Sequence, residues 1–132
     1  MAFLDSSVII EYLDGTPAII EAVDAEPLPH LTSSICVYEV LAGEVFSTGP
    51  ADIERARQAF GRVDAVGFDE ATAVEAARLQ ATLLDTGDPL SPRDLFVAAT
   101  ARSLGEPLLI ADREFDTAGL HQLISIRHLD VD

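Results

Sequence analysis

Four acidic residues spread along the chain have the residue type and setting for joint metal binding or catalysis. Asp5 ends the apolar run "AFL" and Asp112 follows the run "PLLIA", whereas Glu39 and Asp94 lie near the starts of two predicted helices. Carboxylates held within a few ångströms of one another repel unless a cation neutralises them. A site made only of oxygen atoms prefers hard ions such as Mg²⁺ or Mn²⁺. Because such ions hold phosphoryl oxygens and lower the pKa of bound water, a joint site predicts phosphate chemistry.

Glu39 is the hardest of the four to explain as a purely structural residue. With Ser33 or Ser34 as N-cap, helical spacing predicts a buried face around it. That face also carries Ile35, Cys36, Ala42, Gly43 and Phe46. The nearest basic residue along the chain is Arg55, so no partner lies three or four positions away. Since an unpaired carboxylate in apolar surroundings is costly, something elsewhere in the chain, or bound to it, must compensate the charge.

The alternation of short apolar runs with longer amphipathic stretches predicts an α/β fold. The predicted strands are "AFL", "PHLT", "DAVGF" and "PLLIA", with "SIRHL" as a fifth candidate. Helices of roughly ten or more residues between strands indicate crossover connections. We therefore expect a single domain over residues 1–132, with a central, mostly parallel sheet of four to five strands and helices on both faces.

The acids fall where such a sheet binds ligands. Ligand sites lie outside the carboxyl ends of the strands, where the following helices begin. Asp5 and Asp112 end predicted strands, Glu39 lies early in its helix, and Asp94 lies in the first turn of another. Asp116, one helical turn beyond Asp112, can join them. The sequence therefore predicts convergence of these carboxylates at one edge of the sheet.

Three of these acids also have structural interpretations. Asp94 follows Ser91 by three residues, which is a variant of the capping box. Asp5 can cap the helix after it, and Asp112 can pair with Arg113 or begin a turn. These alternatives remain open at the level of sequence.

Composition limits the class of protein. The chain has 23 acidic and eight basic residues, all eight of them arginine, and a net charge of −15. Molar salt screens the resulting repulsion, so the surface suggests adaptation to high internal salt, as in halophilic archaea, with an ordinary acidic protein as the alternative. Cys36 is expected to be buried and inert, and the three histidines lack metal-ligand spacing. The absence of a long apolar run or a basic leader predicts a cytoplasmic protein without a membrane span.

Four blocks of sequence resemble a known family. "FLDSSVIIEYL", "SSICVYEVLAG", "SPRDLFVAATA" and "LLIADREF" are similar, in order and spacing, to the four acidic blocks of PIN-domain ribonucleases. The closest likeness is to the VapC toxins of bacterial and archaeal toxin–antitoxin pairs. Each block is weak alone, but the ordered set is specific and spans nearly the whole chain.

The resemblance implies a Mg²⁺- or Mn²⁺-dependent endoribonuclease, usually a homodimer, that is silenced by a VapB-like antitoxin peptide in its active-site groove. Matched block by block, the catalytic and metal-binding acids are Asp5, Glu39, Asp94 and Asp112, with Asp116 as an addition. Ser6 stands where the family has a Thr or Ser that helps to order the site. The last block departs from the family, because Ile110 and Ala111 replace residues that are often polar, so we expect Asp112 to be held less firmly than in the family.

The resulting hypothesis is hydrolysis of an RNA phosphodiester by in-line attack of a metal-activated water. Asp5, Glu39 and Asp94 would hold the principal ion, and Asp112, directly or through water, would complete that site or a second one. Arg93 and Arg113, each next to a proposed ligand, can grip phosphate or can form ordinary ion pairs. The alternatives are a PIN-domain RNA-processing nuclease without an antitoxin and a catalytically inactive module that binds a metal or a partner. A phosphoacceptor receiver domain is disfavoured because its mechanism needs a lysine.

Overall fold

The computed structural model describes residues 1–113 and 117–131. Its strands are β1 (Ala2–Leu4), β2 (His30–Ser33), β3 (Val63–Val66), β4 (Leu108–Ile110) and β5 (Ile126–His128). Its helices are α1 (Ser6–Leu13), α2 (Pro17–Asp24), α3 (Ser34–Val45), α4 (Ile53–Ala59), α5 (Glu70–Thr86), α6 (Pro92–Leu104) and α7 (Ala118–His121). Each predicted strand is present, including "SIRHL" as β5.

The five strands form one sheet in the order β3-β2-β1-β4-β5, and every neighbouring pair is parallel. The prediction of a mostly parallel sheet of four to five strands is therefore confirmed. In the central strand, Phe3 pairs with Leu31 of β2 on one side and with Leu108 of β4 on the other. The chain leaves β1 first toward one edge of the sheet and later toward the other. The carboxyl end of β1 is thus the point at which strand order reverses, where ligand crevices form in such sheets.

Alternating side chains of the sheet bury two separate apolar clusters. Phe3 belongs to the cluster that contains Leu79 of α5 and Val97 of α6, whereas Leu4 belongs to the cluster that contains Ile9 of α1. This alternation is the period of two that a strand imposes on its side chains. Every residue of β1 and β4 is buried. Helices therefore cover both faces, and the strand that carries Asp5 at its end is rigidly held.

Glycine residues end two of the longer helices. Gly87 and Gly105 end α5 and α6 with φ of 79° and 67°, the left-handed conformation that glycine adopts without a steric penalty. Residues 49–63 have an amphipathic sequence, but only seven of them form a helix, α4. The Asp52 carboxylate caps this helix by accepting the Arg55 backbone N–H, and no residue of α4 is buried. No helix of the described residues has the length and apolar character to cross a membrane.

Only part of one face of α3 is buried. Cys36 is fully buried, as predicted, and Val40 is nearly so. The buried face expected around Glu39 does not continue to Phe46, which is 85% exposed, and Tyr38 is 69% exposed. The helix therefore leaves the core after about two turns and presents large apolar side chains to solvent.

Candidate active site

Asp5 is held in place by the start of α1. It is the N-cap residue, and its Oδ2 accepts the Ser7 backbone N–H at 3.1 Å and the Ser7 hydroxyl at 2.6 Å. Only 1% of the residue is exposed. Its Oδ1 faces the guanidinium of Arg93, with Nη2 at 2.8 Å. The capping interpretation of Asp5 is therefore correct, but it accounts for only one of the two carboxylate oxygens.

Glu39 finds its counter-ion on a distant helix. Ser33 is the N-cap of α3 and accepts the Ile35 N–H at 3.0 Å, which sets the helix so that Glu39 lies in its second turn. The Arg93 Nε–H donates to Glu39 Oε2 at 2.7 Å, and Arg93 Nη2 donates to Oε1. The positive charge that compensates Glu39 is therefore that of Arg93, within the same chain. No local pattern could reveal it, because the two residues are 54 positions apart.

Asp94 and Ser6 contact the same guanidinium. Arg93 Nη1 donates to Asp94 Oδ1 at 3.0 Å, and Arg93 Nη2 donates to Ser6 Oγ at 2.7 Å. Ser91 is the N-cap of α6 but makes no side-chain capping bond, so the capping box does not explain Asp94. The carboxylates of Asp5, Glu39 and Asp94 thus converge on one cation at the carboxyl edge of the sheet; we call these three residues with Arg93 the Arg93 cluster.

The charge of Arg93 is secured by its surroundings. Burial by itself would lower the Arg93 pKa, but the hydrogen bond to Glu39 and the charge of Asp5 outweigh burial and raise it above its ordinary value. The guanidinium therefore stays protonated at any physiological pH. One positive charge faces three acidic side chains, so the cluster as a whole favours additional positive charge.

Cys36 lies against this cluster without being reactive. Its Sγ is 3.9 Å from Asp5 Oδ1 and 4.0 Å from Arg93 Nη2. Burial, and next the charge of Asp5, raise the pKa of the Cys36 thiol to about 12. The thiol is therefore neutral and acts as a small apolar side chain, in line with the prediction that it is inert.

Ser7 is a site residue that the sequence analysis did not identify. Its hydroxyl donates to Asp5 Oδ2 at 2.6 Å and accepts the Ala111 backbone N–H at 3.0 Å. The side chain therefore ties the end of β1 to the residue that follows β4. Sequence reasoning selected Ser6 for the ordering role, yet both serines follow the N-cap Asp5, and the second is the one that reaches Asp5. Ala111 takes part through its backbone, which does not require a polar side chain there.

The last acidic block is less enclosed than the others. Asp112 follows β4 by two residues and is exposed, as is Arg113. Asp116, the addition expected from its position after Asp112, lies outside the described residues. The Arg93 cluster and Asp112 share the carboxyl edge of the sheet, since β1 and β4 are parallel neighbours.

The chemistry of the Arg93 cluster fits a hard divalent cation. Within residues 1–113 and 117–131, no group of three or more His, Cys, Asp or Glu side chains is already arranged as a set of metal ligands. The three carboxylates nevertheless face a common cation, and all of their donor atoms are oxygen. Oxygen-only donors suit Mg²⁺ and Mn²⁺ better than softer metals.

Comparison with known proteins identifies the class. The family model of the PIN domain matches residues 2–120, and the chain belongs to the PIN-domain family. Nucleases of this family generally use divalent metal ions. The fold is therefore the one that the four sequence blocks led us to expect.

Individual relatives narrow the class further. The "tRNA(fMet)-specific endonuclease VapC" of Shigella flexneri is 28% identical over 119 residues, which cover 88% of this chain and 90% of that protein. DNA-bound VapBC from Salmonella typhimurium has a TM-score of 0.79 at 25% identity and covers 97% of this chain and 98% of its own. VapBC-5 from Mycobacterium tuberculosis has a TM-score of 0.68 at 27% identity and covers 98% and 97%. The protein is a VapC-like PIN-domain nuclease, which confirms the resemblance predicted from sequence.

Proposed function

We propose that the protein is a Mg²⁺- or Mn²⁺-dependent endoribonuclease and the toxin of a VapBC-type toxin–antitoxin pair. The observation that carries the proposal is that Asp5, Glu39 and Asp94 converge on the guanidinium of Arg93. They do so where the strand order of the PIN-domain sheet reverses. The VapC of Shigella flexneri, named as an endonuclease specific for tRNA(fMet), supports RNA as the substrate and makes tRNA the first substrate to test.

The residues that would hold the ion are the three acids of the Arg93 cluster, together with Asp112, which is exposed after the end of β4. When bound, the ion supplies a Lewis acid that lowers the pKa of water and neutralises charge on the phosphate. The chain's own residues orient the acids: Ser7 fixes the plane of the Asp5 carboxylate, and Ser33 fixes the start of the helix that carries Glu39. Hydrolysis would add water across the P–O3′ bond and leave 5′-phosphate and 3′-hydroxyl ends.

An exposed apolar surface supports a protein partner for this nuclease. Ile10 and Leu13 of α1 are 42% and 40% exposed, and Val45 and Phe46 at the end of α3 are 54% and 85% exposed. The two helices pack against each other, so these side chains lie on neighbouring elements. A VapB-like antitoxin or a second copy of the chain in a homodimer would bury such residues. The antitoxin and the homodimer are both part of the proposal, as is action on cytoplasmic RNA.

The contacts of Arg93 favour one alternative from a different class. Because Arg93 already pairs with three carboxylates, the same cluster suits a catalytically inactive module that binds a partner through its acidic edge. A PIN-domain RNA-processing nuclease without an antitoxin would share the active site but not the partner. Cleavage separates the first alternative from the toxin, and co-purification with the product of a neighbouring antitoxin gene separates the second.

The deciding experiment is cleavage of tRNA and total RNA at high KCl with Mg²⁺, Mn²⁺ or EDTA. It compares the wild type with Asp5→Asn and with Asp85→Asn, which removes the same charge from an exposed position on α5. We expect discrete, metal-dependent cuts from the wild type and from Asp85→Asn, and a loss of at least about 100-fold in rate for Asp5→Asn. Folded wild type that binds Mn²⁺ but leaves every RNA intact would refute the nuclease proposal.

A further inference from the structure

Arg93 contacts the carboxylate oxygens that a divalent ion would need. Its guanidinium meets Asp5 Oδ1 at 2.8 Å and Asp94 Oδ1 at 3.0 Å, and it contacts both oxygens of Glu39. The second oxygen of Asp5 is committed to the backbone N–H and hydroxyl of Ser7. The oxygens that face the centre of the cluster therefore already have a cationic occupant from within the chain.

We propose that Arg93 is a built-in competitor for the metal ion, a side-chain cation that fills the cluster in the metal-free protein and leaves the carboxylates when they hold a divalent ion. The inference rests on the proposed function, since it takes the cluster to be the metal site. A guanidinium and a metal ion cannot use the same carboxylate lone pairs at contact distance. By the reciprocity of linked equilibria, occupancy by Arg93 lowers the affinity for the ion, and the ion weakens the hold on Arg93.

The Arg93 side chain is more exposed than the side chains of Asp5 and Asp94. The Asp5 side chain is 2% exposed and the Asp94 side chain 16%, whereas 29% of the Arg93 side chain is exposed. Arg93 lies in the first turn of α6 behind Pro92, so its flexible side chain can swing toward solvent without unwinding the helix. Asp5 cannot move in this way, because it caps α1 at the end of a buried strand. Compared with Asp5 and Asp94, the arginine is therefore the residue that can move, and Glu39, whose side chain is 30% exposed, is held by its place in the second turn of α3 rather than by burial.

The competition also gives Arg93 a role in the metal-free state. Without a cation between them, three acidic side chains at one point repel one another and disfavour the folded site. Arg93 neutralises part of that charge and keeps the carboxylates facing inward. It is a positioning residue in the metal-free protein and has to be displaced in the metal-loaded one.

The test is a Mn²⁺ titration followed by the EPR signal of the free ion, at one fixed KCl concentration. It compares the wild type with Arg93→Met, which keeps a long side chain without the charge, and with Arg102→Met, which removes the same charge from an exposed position on α6. We expect Arg93→Met to bind Mn²⁺ at least about fivefold more tightly than the wild type, with Arg102→Met close to the wild type. Thermal unfolding in EDTA should show a lower Tm for Arg93→Met and a larger rise in Tm on adding Mn²⁺.

Other outcomes separate this inference from the proposed function. Equal or weaker Mn²⁺ binding by Arg93→Met overturns the competitor role and leaves the metal-dependent nuclease standing, provided that the wild type binds the ion. Absence of Mn²⁺ binding in all three proteins overturns both proposals. If Arg93→Met does not fold in EDTA, Arg93→Lys replaces it, because lysine keeps the charge but lacks the planar fork that grips two carboxylates. Tighter binding than the wild type is again expected, and equal or weaker binding again overturns the role.

Discussion

Arg93 and Glu39, on helices α6 and α3, form a two-point salt bridge in which Nε and Nη2 of the guanidinium donate to the two carboxylate oxygens. The fork of arginine matches a carboxylate in this way, which makes the pair stronger than a single-point contact. The two side chains are 29% and 30% exposed, so solvent screens the pair only in part. The bridge links two helices whose N-terminal halves border the active site.

The pair predicts an asymmetric response of stability to substitution. Arg93→Met leaves three carboxylates without their cation, whereas Glu39→Gln leaves a guanidinium that still has Asp5 and Asp94. In EDTA we expect Arg93→Met to lower the free energy of unfolding by about 1–3 kcal/mol and Glu39→Gln to lower it by less. Urea unfolding of both variants measures the difference. The reverse order would mean that repulsion among the acids is negligible.

The acids should differ in how strongly they hold the ion. Asp94 faces the cluster and has a side chain that is 16% exposed, whereas Asp112 lies exposed beyond β4. We expect Asp94→Asn to weaken Mn²⁺ binding by at least about tenfold, and Asp112→Asn to weaken it by less, because a ligand that is partly shielded from water interacts more strongly with the ion. Isothermal titration of both variants tests this order. Equal losses would place Asp112 among the principal ligands.

Ser7 should matter more than its neighbour Ser6. Ser7→Ala removes the hydroxyl bond to Asp5 and leaves the Ala111 N–H without that acceptor, whereas Ser6→Ala removes only an acceptor for Arg93. We expect a loss of about 1–3 kcal/mol in the free energy of unfolding for Ser7→Ala. A ten- to 100-fold loss in metal affinity, roughly, should accompany it, since the partners that orient a ligand are worth about that much. Equal effects of the two substitutions would assign no special role to Ser7.

The sequence was sufficient for the five strands and for the edge at which Asp5, Glu39 and Asp94 meet. Asp5 and Glu39 could be selected because each combines an acid with an apolar setting, and the glycines that end α5 and α6 mark those helix ends. The sequence could not identify the partner of Glu39, because the pairing depends on how α6 packs beside α3. Arg93 carried a signal, its position next to Asp94, but that signal also fitted phosphate binding. The predicted buried face of α3 extended too far along the helix, since helical period alone does not indicate where a helix leaves the core.

The cap of α5 gives a prediction for pH dependence. The Asp69 carboxylate accepts the Thr72 backbone N–H at 2.9 Å and the Thr72 hydroxyl at 2.8 Å, and the backbone bond is the main reason that the Asp69 pKa lies below its ordinary value. A lowered pKa in the folded state means that the ionised cap stabilises the protein above the unfolded pKa, about 4. This contribution is lost as the pH falls through the folded pKa.

We therefore expect Asp69→Ala to lower Tm at neutral pH, with a deficit that shrinks as the pH falls below about 4. Asp69→Asn is the matched control, because asparagine keeps the acceptor for the cap but does not titrate. Its Tm at neutral pH should lie closer to the wild type. Differential scanning at several pH values gives both comparisons, and a deficit for Asp69→Ala that stays constant into acid would show that ionisation of the cap contributes nothing.

The net charge of −15 predicts that folding depends on salt. With no lysine and only eight arginines, the acidic side chains far outnumber the basic ones, and compact folding brings their charges together. Screening shortens the range of this repulsion from about 8 Å at 0.15 M to about 3 Å at 1 M salt. We expect Tm to rise by at least about 4 °C between 0.15 M and 2 M KCl, which corresponds to about 1 kcal/mol for a domain of this size.

NaCl should act like KCl, because screening depends on ionic strength rather than on the identity of the cation. Replacing five exposed acidic residues of α5 and the loops by their amides should make Tm depend less on the salt concentration. A Tm that does not change with salt, or that rises equally in the amide variant, would show that self-repulsion does not limit the stability of this protein.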